Sequence, residues 1–214
     1  MRTDLVVVLE ERVAGLSDVS IQRTLTGGSG PSKRTPGSAW YISPREIRQF
    51  AYTDVNRLLR SVPGVHVQEE DGYGLRPNIG MRGAGSERSS KITVMEDGLL
   101  MAPAPYASPA AYYFPTVGRM HAIELVKGSS QVRTGPLTTG GAINLLSTPI
   151  PTTTAGAVRV WGGSYGARNL HAHAGTTTVG RVGVLVETFR QGADGFKVLD
   201  NGDPTGFTKE DLLG

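Results

Sequence analysis

The chain has 214 residues, which is enough for one or two domains with a hydrophobic core. It contains no cysteine, so thiolate metal sites, cysteine nucleophiles and disulfides are excluded. The formal net charge is only +3 and the 22 basic residues are scattered along the chain, which does not favour nucleic acid as a partner.

Residues 1–35 are predicted to form a flexible arm. A short apolar run, Leu5–Leu9, is followed by TGGSGPSKRTPGS, whose Gly, Ser and Pro residues cannot bury a core. The Lys in this stretch does not belong to a phosphate-binding P-loop. That motif needs Gly directly before the Lys and Ser or Thr directly after it, whereas Ser32 and Arg34 flank Lys33.

Residues 36–150 are predicted to form a small α+β unit that begins with two short helices. The first helix should start at Ser43, which is followed by Pro44 and, three residues after the cap, by Glu46, as in a capping box. The second is indicated by apolar residues spaced i, i+3, i+4 and i+7, and a Pro-Gly pair ends it. The residues of this stripe are Val55, Leu58, Leu59 and Val62.

Short strands follow in the same unit, with the sequences GVHVQ, NIGMRG, KITVMED, HAIELVKG and GAINLLS. Asp97-Gly98 can supply the positive φ angles of a two-residue hairpin turn. The loop APAPYASPAAYYFP carries an aromatic cluster between these strands. Its aromatic residues either bind a ligand at the surface or pack as a small internal core, and the sequence leaves both alternatives open.

After residue 151 the pattern changes to longer strands, AGAVRVWGG, ARNLHAHAGTT and RVGVLVETFRQ. Each strand alternates between an apolar face, which includes Val184 and Val186, and a mixed polar face, which includes Glu187. This alternation is typical of transmembrane β-barrel strands, and it also suits a soluble antiparallel meander. Because three strands cannot close a barrel, the barrel interpretation requires the chain to be a fragment.

The sequence contains no arrangement typical of an enzyme or of a metal centre. Gly80, Gly83 and Gly85 imitate a dinucleotide-binding fingerprint, but a strand follows them where that fingerprint requires a helix. His171 and His173 lie on one face of a strand and could ligate a metal, yet no carboxylate is near and a competent site needs three or four ligands. We therefore expect a polar, lumen-facing pair, and no catalytic residues, metal or cofactor.

Three blocks of the chain, SVPGVHV, IGMRGAGSERSSKITVMEDGLLMAPAPY and RMHAIELVKGSSQVRTGPLTTGGAINLLS, resemble the plug domain of TonB-dependent outer-membrane receptors, in its ferric-dicitrate-receptor-like branch. The resemblance implies an α+β plug domain, with a small mixed β-sheet and short helices, over residues 36–150. It further implies the first antiparallel strands of a transmembrane β-barrel over residues 151–214. We refer to these two parts as the plug region and the strand region.

The resemblance also implies partner and ligand sites. The segment Asp4–Val8 resembles a TonB box, which would pair by strand addition with a TonB-type energy-transducing protein of the periplasm; its residues are Asp4, Leu5, Val6, Val7 and Val8. The plug loop tips expected to meet the ligand are Ser86, Glu87, Arg88, Tyr106 and Ser108. Charged residues that border the plug strands are expected to form salt bridges that hold the plug in the barrel, namely Arg82, Glu124 and Arg133.

The function that the resemblance implies is energy-coupled uptake of a ferric chelate, either a siderophore or ferric citrate, across the cell outer membrane, without catalysis. No signal peptide is recognisable and most of a barrel is missing, so we expect an N-terminal fragment of such a receptor. The alternative left open is a stand-alone soluble plug-like domain that binds or signals but does not transport.

Overall fold

Two larger β-sheets and one separate two-stranded pair organise the described residues. The computed structural model describes residue 25 and residues 37–50, 53–70, 72–101, 113–128, 134–135, 138–178 and 182–213. The helices in these ranges are α1 Pro44–Phe50 and α2 Val55–Leu59. The strands are β1 Ser38–Ile42, β2 Val65–Gln68, β3 Asn78–Met81, β4 Ile92–Glu96, β5 Leu99–Leu100, β6 Ala122–Lys127, β7 Gly141–Leu146, β8 Ala155–Gly162, β9 Arg168–Thr177, β10 Gly183–Ala193 and β11 Phe207–Leu213.

Both helices begin with the capping chemistry that their sequences favour. At α1, the Ser43 amide donates to Glu46 Oε2 at 2.7 Å and the Glu46 amide donates to Ser43 Oγ at 3.2 Å, which confirms the predicted capping box. At α2, the side chain of Asp54 caps the helix by accepting a hydrogen bond from the Asn56 amide at 2.8 Å. The predicted apolar stripe of α2 is buried, and its members are Val55, Leu58, Leu59 and Val62.

The plug region is built on a mixed five-stranded sheet with the strand order β1-β6-β7-β4-β5. The β4–β7 pair is parallel, and the other pairs of this sheet are antiparallel. Every residue of the neighbouring strands β6 and β7 is buried, as expected for strands covered on both faces. The helices and the separate β2–β3 pair complete the same hydrophobic core.

A tight turn joins β4 to β5 at the predicted position. Asp97 has a φ of 49° and Gly98 a φ of 79°, the pair of positive values that a two-residue hairpin turn requires. The Gly98 amide donates to Asn144 Oδ1 at 2.8 Å, and the Ser147 amide donates to Asp97 Oδ1 at 3.0 Å. The turn is therefore fastened to β7 and to the residue that follows it, and is part of the sheet rather than a free loop.

The strand region forms a second, wholly antiparallel sheet with the order β11-β10-β9-β8. The three predicted strands are present, and the terminal stretch FTKEDLL adds β11 as a fourth. Apolar side chains on one face are open to the surroundings, with Val158 and Val160 both 73% exposed and Val184 and Val186 both 53% exposed. The opposite face carries the polar side chains and packs on the plug region.

Within the described residues, no helix has the length and apolar composition needed to cross a membrane.

Candidate functional site

The polar face of the strand sheet lies against the plug region, and we call this contact the plug–strand interface. Side chains alternate along each strand, so the odd-numbered residues of β9, β10 and β11 share this face. Buried polar groups need hydrogen-bond partners, and this requirement ties the two regions together. The buried side chains that the strand sheet contributes include Asn169, His171, Glu187, Phe189 and Gln191.

Arg119 is a buried cation of this interface. It ends the short 3₁₀ turn that leads into β6, and its side chain is only 2% exposed. Its Nη2 lies 2.7 Å from Glu96 Oε1 in the plug sheet, and its Nε lies 3.5 Å from Asp211 Oδ2 in β11. Burial opposes the charge, but the Glu96 carboxylate and hydrogen bonds to Glu96 and Tyr113 outweigh it and raise the pKa of Arg119. The charged guanidinium therefore links the plug sheet to the strand sheet.

A second polar group joins the strand sheet to the segment after β7. His171 Nε2 lies 2.7 Å from Glu187 Oε1, and Thr148 Oγ1 donates to the same oxygen at 2.6 Å. Both the imidazole and the carboxylate are buried. Because Thr148 lies between the plug sheet and β8, this group fixes the connection between the two regions.

Two longer side chains of the strand sheet reach separate points of the plug region. Gln191 Nε2 donates to Thr53 Oγ1 at 3.0 Å, just before α2. Lys209 Nζ donates to the carbonyl oxygen of Phe114 at 3.2 Å. The strands β10 and β11 therefore hold the plug region at points that are far apart in the sequence.

An aromatic ring fills the centre of the interface. Phe189 is fully buried, and the backbone of Gly118 runs directly beneath it. A Cβ atom built on Gly118 would lie 2.4 Å from Phe189 Cζ, closer than real Cβ contacts come. Glycine at residue 118 is therefore required by the close approach of the ring.

The predicted ligand-facing loop forms a short 3₁₀ turn, Glu87–Ser89, that is hydrogen-bonded to β3. Ser89 is buried and its Oγ accepts a hydrogen bond from the Ile79 amide of β3 at 3.0 Å. Arg88 has a φ of 48°, which turns the chain back toward β4. Ser86 is half-buried, whereas Glu87 and Arg88 are exposed, so the loop presents one carboxylate and one guanidinium on a fixed base.

Comparison with known proteins identifies this architecture. The sequence profile described as "TonB-dependent Receptor Plug Domain" matches residues 31–142, which is more than half of the chain. The chain belongs to this family. The family is one of transport receptors rather than enzymes, which confirms the prediction of a non-enzymatic protein.

The chain resembles individual receptors at lower identity. It is 28% identical over 170 residues to the vitamin B12 transporter BtuB of Photobacterium profundum, a match that covers 78% of this chain and 27% of BtuB. The unliganded ferric citrate transporter FecA matches with a TM-score of 0.59 and 25% identity, over 72% of this chain and 25% of FecA. The ferric yersiniabactin uptake receptor FyuA of Yersinia pestis matches with a TM-score of 0.63 and 20% identity, over 85% of this chain and 28% of FyuA.

These matches confirm the predicted fold, an α+β plug domain followed by the first antiparallel strands of a receptor barrel. The chain spans about a quarter of the length of the proteins that it matches.

Glu124 and Arg82 occupy different environments in the plug domain. Glu124 is fully buried in β6, where its Oε2 accepts hydrogen bonds from Asn144 Nδ2 at 3.1 Å and from the Leu25 amide at 2.6 Å. Arg82 is exposed, and beside it the pKa of Lys127 is lowered, first by burial and then by the Arg82 charge. The contacts described for both residues lie within the plug domain and its arm, so their assignment to plug–barrel salt bridges stays a prediction.

Other predicted residues fall outside the described parts of the chain. They are the segment Asp4–Val8, the loop residues Tyr106 and Ser108, and Arg133. The aromatic residues at the end of the loop behave differently from one another, because Phe114 is buried whereas Tyr113 is exposed. Packing into the core is therefore shown for Phe114, whereas ligand binding by the exposed aromatic residues of this loop stays a prediction.

The expectation that no carboxylate lies near His171 and His173 is wrong. Antiparallel pairing of β9 with β10 places Glu187 directly opposite His173, and its carboxylate contacts His171. The spacing of the two strands along the sequence carries the information, because their register pairs residues whose numbers sum to 360, as 173 and 187 do. Arg119 gave no such local signal, because its partners come from β4 and β11.

Proposed function

We propose that this chain is the plug-bearing part of an outer-membrane receptor that takes up a ferric chelate, a siderophore or ferric citrate, with energy supplied through TonB. The observation that carries the proposal is the two-faced strand sheet. One face holds the plug domain by buried polar contacts, and the other exposes an apolar surface that includes Val158 and Val160. Strands that alternate in this way suit a barrel with lipid outside and a plug inside.

Energy coupling is assigned to the segment Asp4–Val8. An extended run of this kind can add to the edge of a partner's sheet, where main-chain hydrogen bonds supply affinity with little demand on side chains. The partner is a TonB-type protein on the periplasmic side of the outer membrane. Force applied to the arm would rearrange the plug domain and open a path through the barrel.

The ligand class is supported by the loop Ser86–Arg88 together with the relatives. FecA is a ferric citrate transporter and FyuA a ferric yersiniabactin uptake receptor, whereas BtuB is a vitamin B12 transporter. Arg88 offers exposed donors suited to the carboxylate or hydroxamate oxygens of an iron chelate. Tyr106 and Ser108 are proposed to contribute from the neighbouring loop.

The proposal is tested by uptake in a bacterium that supplies TonB and lacks competing receptors. Cells that produce the receptor are given radioactive iron as citrate, hydroxamate or catecholate complexes, and labelled cobalamin in parallel. We expect uptake of one ferric chelate, lost on deletion of Asp4–Val8 while binding of the chelate is retained. Uptake of cobalamin alone would refute the ligand class, and uptake that survives the deletion would refute the coupling role.

A stand-alone soluble domain is the alternative that this experiment must also address. It would have to keep the apolar face of β8–β11 in water, where contiguous apolar surface promotes association. Fractionation decides between the two, since the receptor is expected in the outer-membrane fraction and the soluble domain in the aqueous one.

A further inference from the structure

Two histidines and a glutamate converge at the plug–strand interface, and none of them belongs to the loop or the arm assigned to the proposed function. His171 and His173 stand two residues apart on the same face of β9, and Glu187 of β10 is the cross-strand neighbour of His173. One ring nitrogen from each histidine and a carboxylate oxygen of Glu187 all lie within 4.8 Å of one another. Two imidazoles and a carboxylate form a ligand set that divalent transition metals such as Zn²⁺ accept.

The separations suit coordination after small side-chain rotations. Zinc binds imidazole nitrogen at about 2.0–2.1 Å and carboxylate oxygen at about 2.0–2.2 Å, so tetrahedral ligand atoms are roughly 3.3 Å apart. His171 Nε2 and Glu187 Oε1 are already 2.7 Å apart, and the imidazole centroids of His171 and His173 are 5.3 Å apart. Because no ligand atom lies more than 4.8 Å from another, the approach needed to reach that separation is at most about 1.5 Å.

Two further observations single out this cluster. The Nδ1 atom of His173 is buried, and it has no hydrogen-bond partner among the described residues. A cavity of about 240 Å³ borders both imidazoles, so a fourth ligand such as water has room to complete the coordination shell. A buried polar atom without a partner calls for an explanation, and a bound ion is one.

Three arginines and a further histidine border the cavity, so its charges oppose a cation; they are Arg48, Arg119, Arg159 and His121. Arg119 borders the cavity, yet its charge is balanced by Glu96 and Asp211. Arg159 also borders the cavity from β8 and opposes His171 across the strand pair. Removing the Arg159 charge should therefore strengthen cation binding.

We propose that His171, His173 and Glu187 form a binding site for a divalent transition metal of the zinc class at the plug–strand interface. The metal replaces the His171–Glu187 hydrogen bond with coordinate bonds and joins β9 to β10. Thr148 Oγ1 remains hydrogen-bonded to Glu187 and holds the carboxylate in place, as second-sphere groups do in metal sites. A bound ion thus stiffens the strands that hold the segment between the plug domain and β8.

The test is a zinc titration of the untagged protein in detergent micelles after removal of metals with a chelator. Isothermal titration calorimetry with zinc chloride should show one saturable site per chain. Cobalt chloride should give the intense visible absorption of a four-coordinate ion, which zinc then abolishes. His173→Ala should weaken zinc affinity by more than the roughly 10- to 100-fold that loss of an outer-sphere partner causes, and Arg159→Gln should strengthen it.

His66→Ala is the matched control, because His66 is exposed on β2 and lies outside the cluster. Glu187→Gln is a second test that retains a hydrogen-bonding side chain while removing the anionic ligand, and circular dichroism verifies that each variant is folded. The proposal is overturned if the unsubstituted protein shows no saturable site. It is also overturned if binding survives in both His173→Ala and Glu187→Gln, or if His66→Ala weakens it equally.

Discussion

The buried guanidinium of Arg119 permits a quantitative prediction. Substitution of Arg119→Met keeps an unbranched apolar side chain but removes the charge that Glu96 and Asp211 share. Those carboxylates are only 17% and 16% exposed, so water cannot fully replace the lost partner. Breaking a buried ion pair by removing one member costs about 3–5 kcal/mol, and we expect a loss of stability of that size.

The Arg60–Glu69 pair provides a control with nearly the same geometry. Its atoms are 2.9 Å apart, compared with 2.7 Å for Arg119 and Glu96, but its side chains are 60% and 32% exposed. Exposed ion pairs contribute about 0–1 kcal/mol, so Arg60→Met should change stability very little. The difference in lost stability between the two variants separates the effect of burial from the effect of the distance between the charged atoms.

Native-state hydrogen exchange of the β4 and β7 amides measures both effects in the protein held in detergent micelles. A loss of about 3–5 kcal/mol in the opening free energy makes exchange about 10²- to 4 × 10³-fold faster, because each 1.4 kcal/mol is about tenfold. Arg60→Met should exchange at nearly the rate of the unsubstituted protein. Equal rates for the two variants would refute the reasoning that burial makes the Arg119 contact strong.

Three further predictions concern the interface, pH and the ligand loop. Gly118→Ala should destabilise the protein by about 1–3 kcal/mol in thermal unfolding, because the new Cβ displaces Phe189, and an unchanged Tm would contradict this. Burial lowers the pKa of His121 below its usual 6.5, so the unfolded state binds protons first and stability falls as the pH drops below about 6.5. Melting curves between about pH 7.5 and 5 should show this fall in stability for the unsubstituted protein, and a smaller fall for His121→Gln. Arg88→Ala should weaken binding of ferric citrate about tenfold and Glu87→Gln should strengthen it, as fluorescence titration would show, whereas equal affinities would exclude this loop from the site.

Local patterns allowed much of the plug domain to be predicted from the sequence. The capping box at Ser43 and Glu46 lies within one helical turn, so its hydrogen bonds depend on neighbouring residues alone. The Asp97-Gly98 turn is similarly local, because few residues other than Gly, Asn and Asp accept two consecutive positive φ angles. These features were predictable since the residue types themselves require the conformation.

Long-range contacts could not be predicted in the same way. The guanidinium of Arg119 meets Glu96 and Asp211 only because the plug sheet and the strand sheet pack together, and no pattern near residue 119 encodes that packing. The contact between His171 and Glu187 lies between these extremes. The contact follows from the register of β9 and β10. The spacing of the two strands along the sequence indicates that register, whereas the alternation of apolar and polar residues alone does not.

The register of β9 and β10 determines which side chains lie on each of the two faces of the strand sheet. Because side chains alternate with a period of two, a slip of one residue in β10 would move Glu187 to the outer apolar face and Val186 to the plug–strand interface. The buried carboxylate would lose His171 and Thr148, and the outer face would gain a charge among valines. Both consequences are unfavourable, so the polar contacts with the plug domain and the apolar outer face select the same register. A substitution that weakens the interface at Glu187 should therefore also loosen the strand pairing that presents Val184 and Val186 outward.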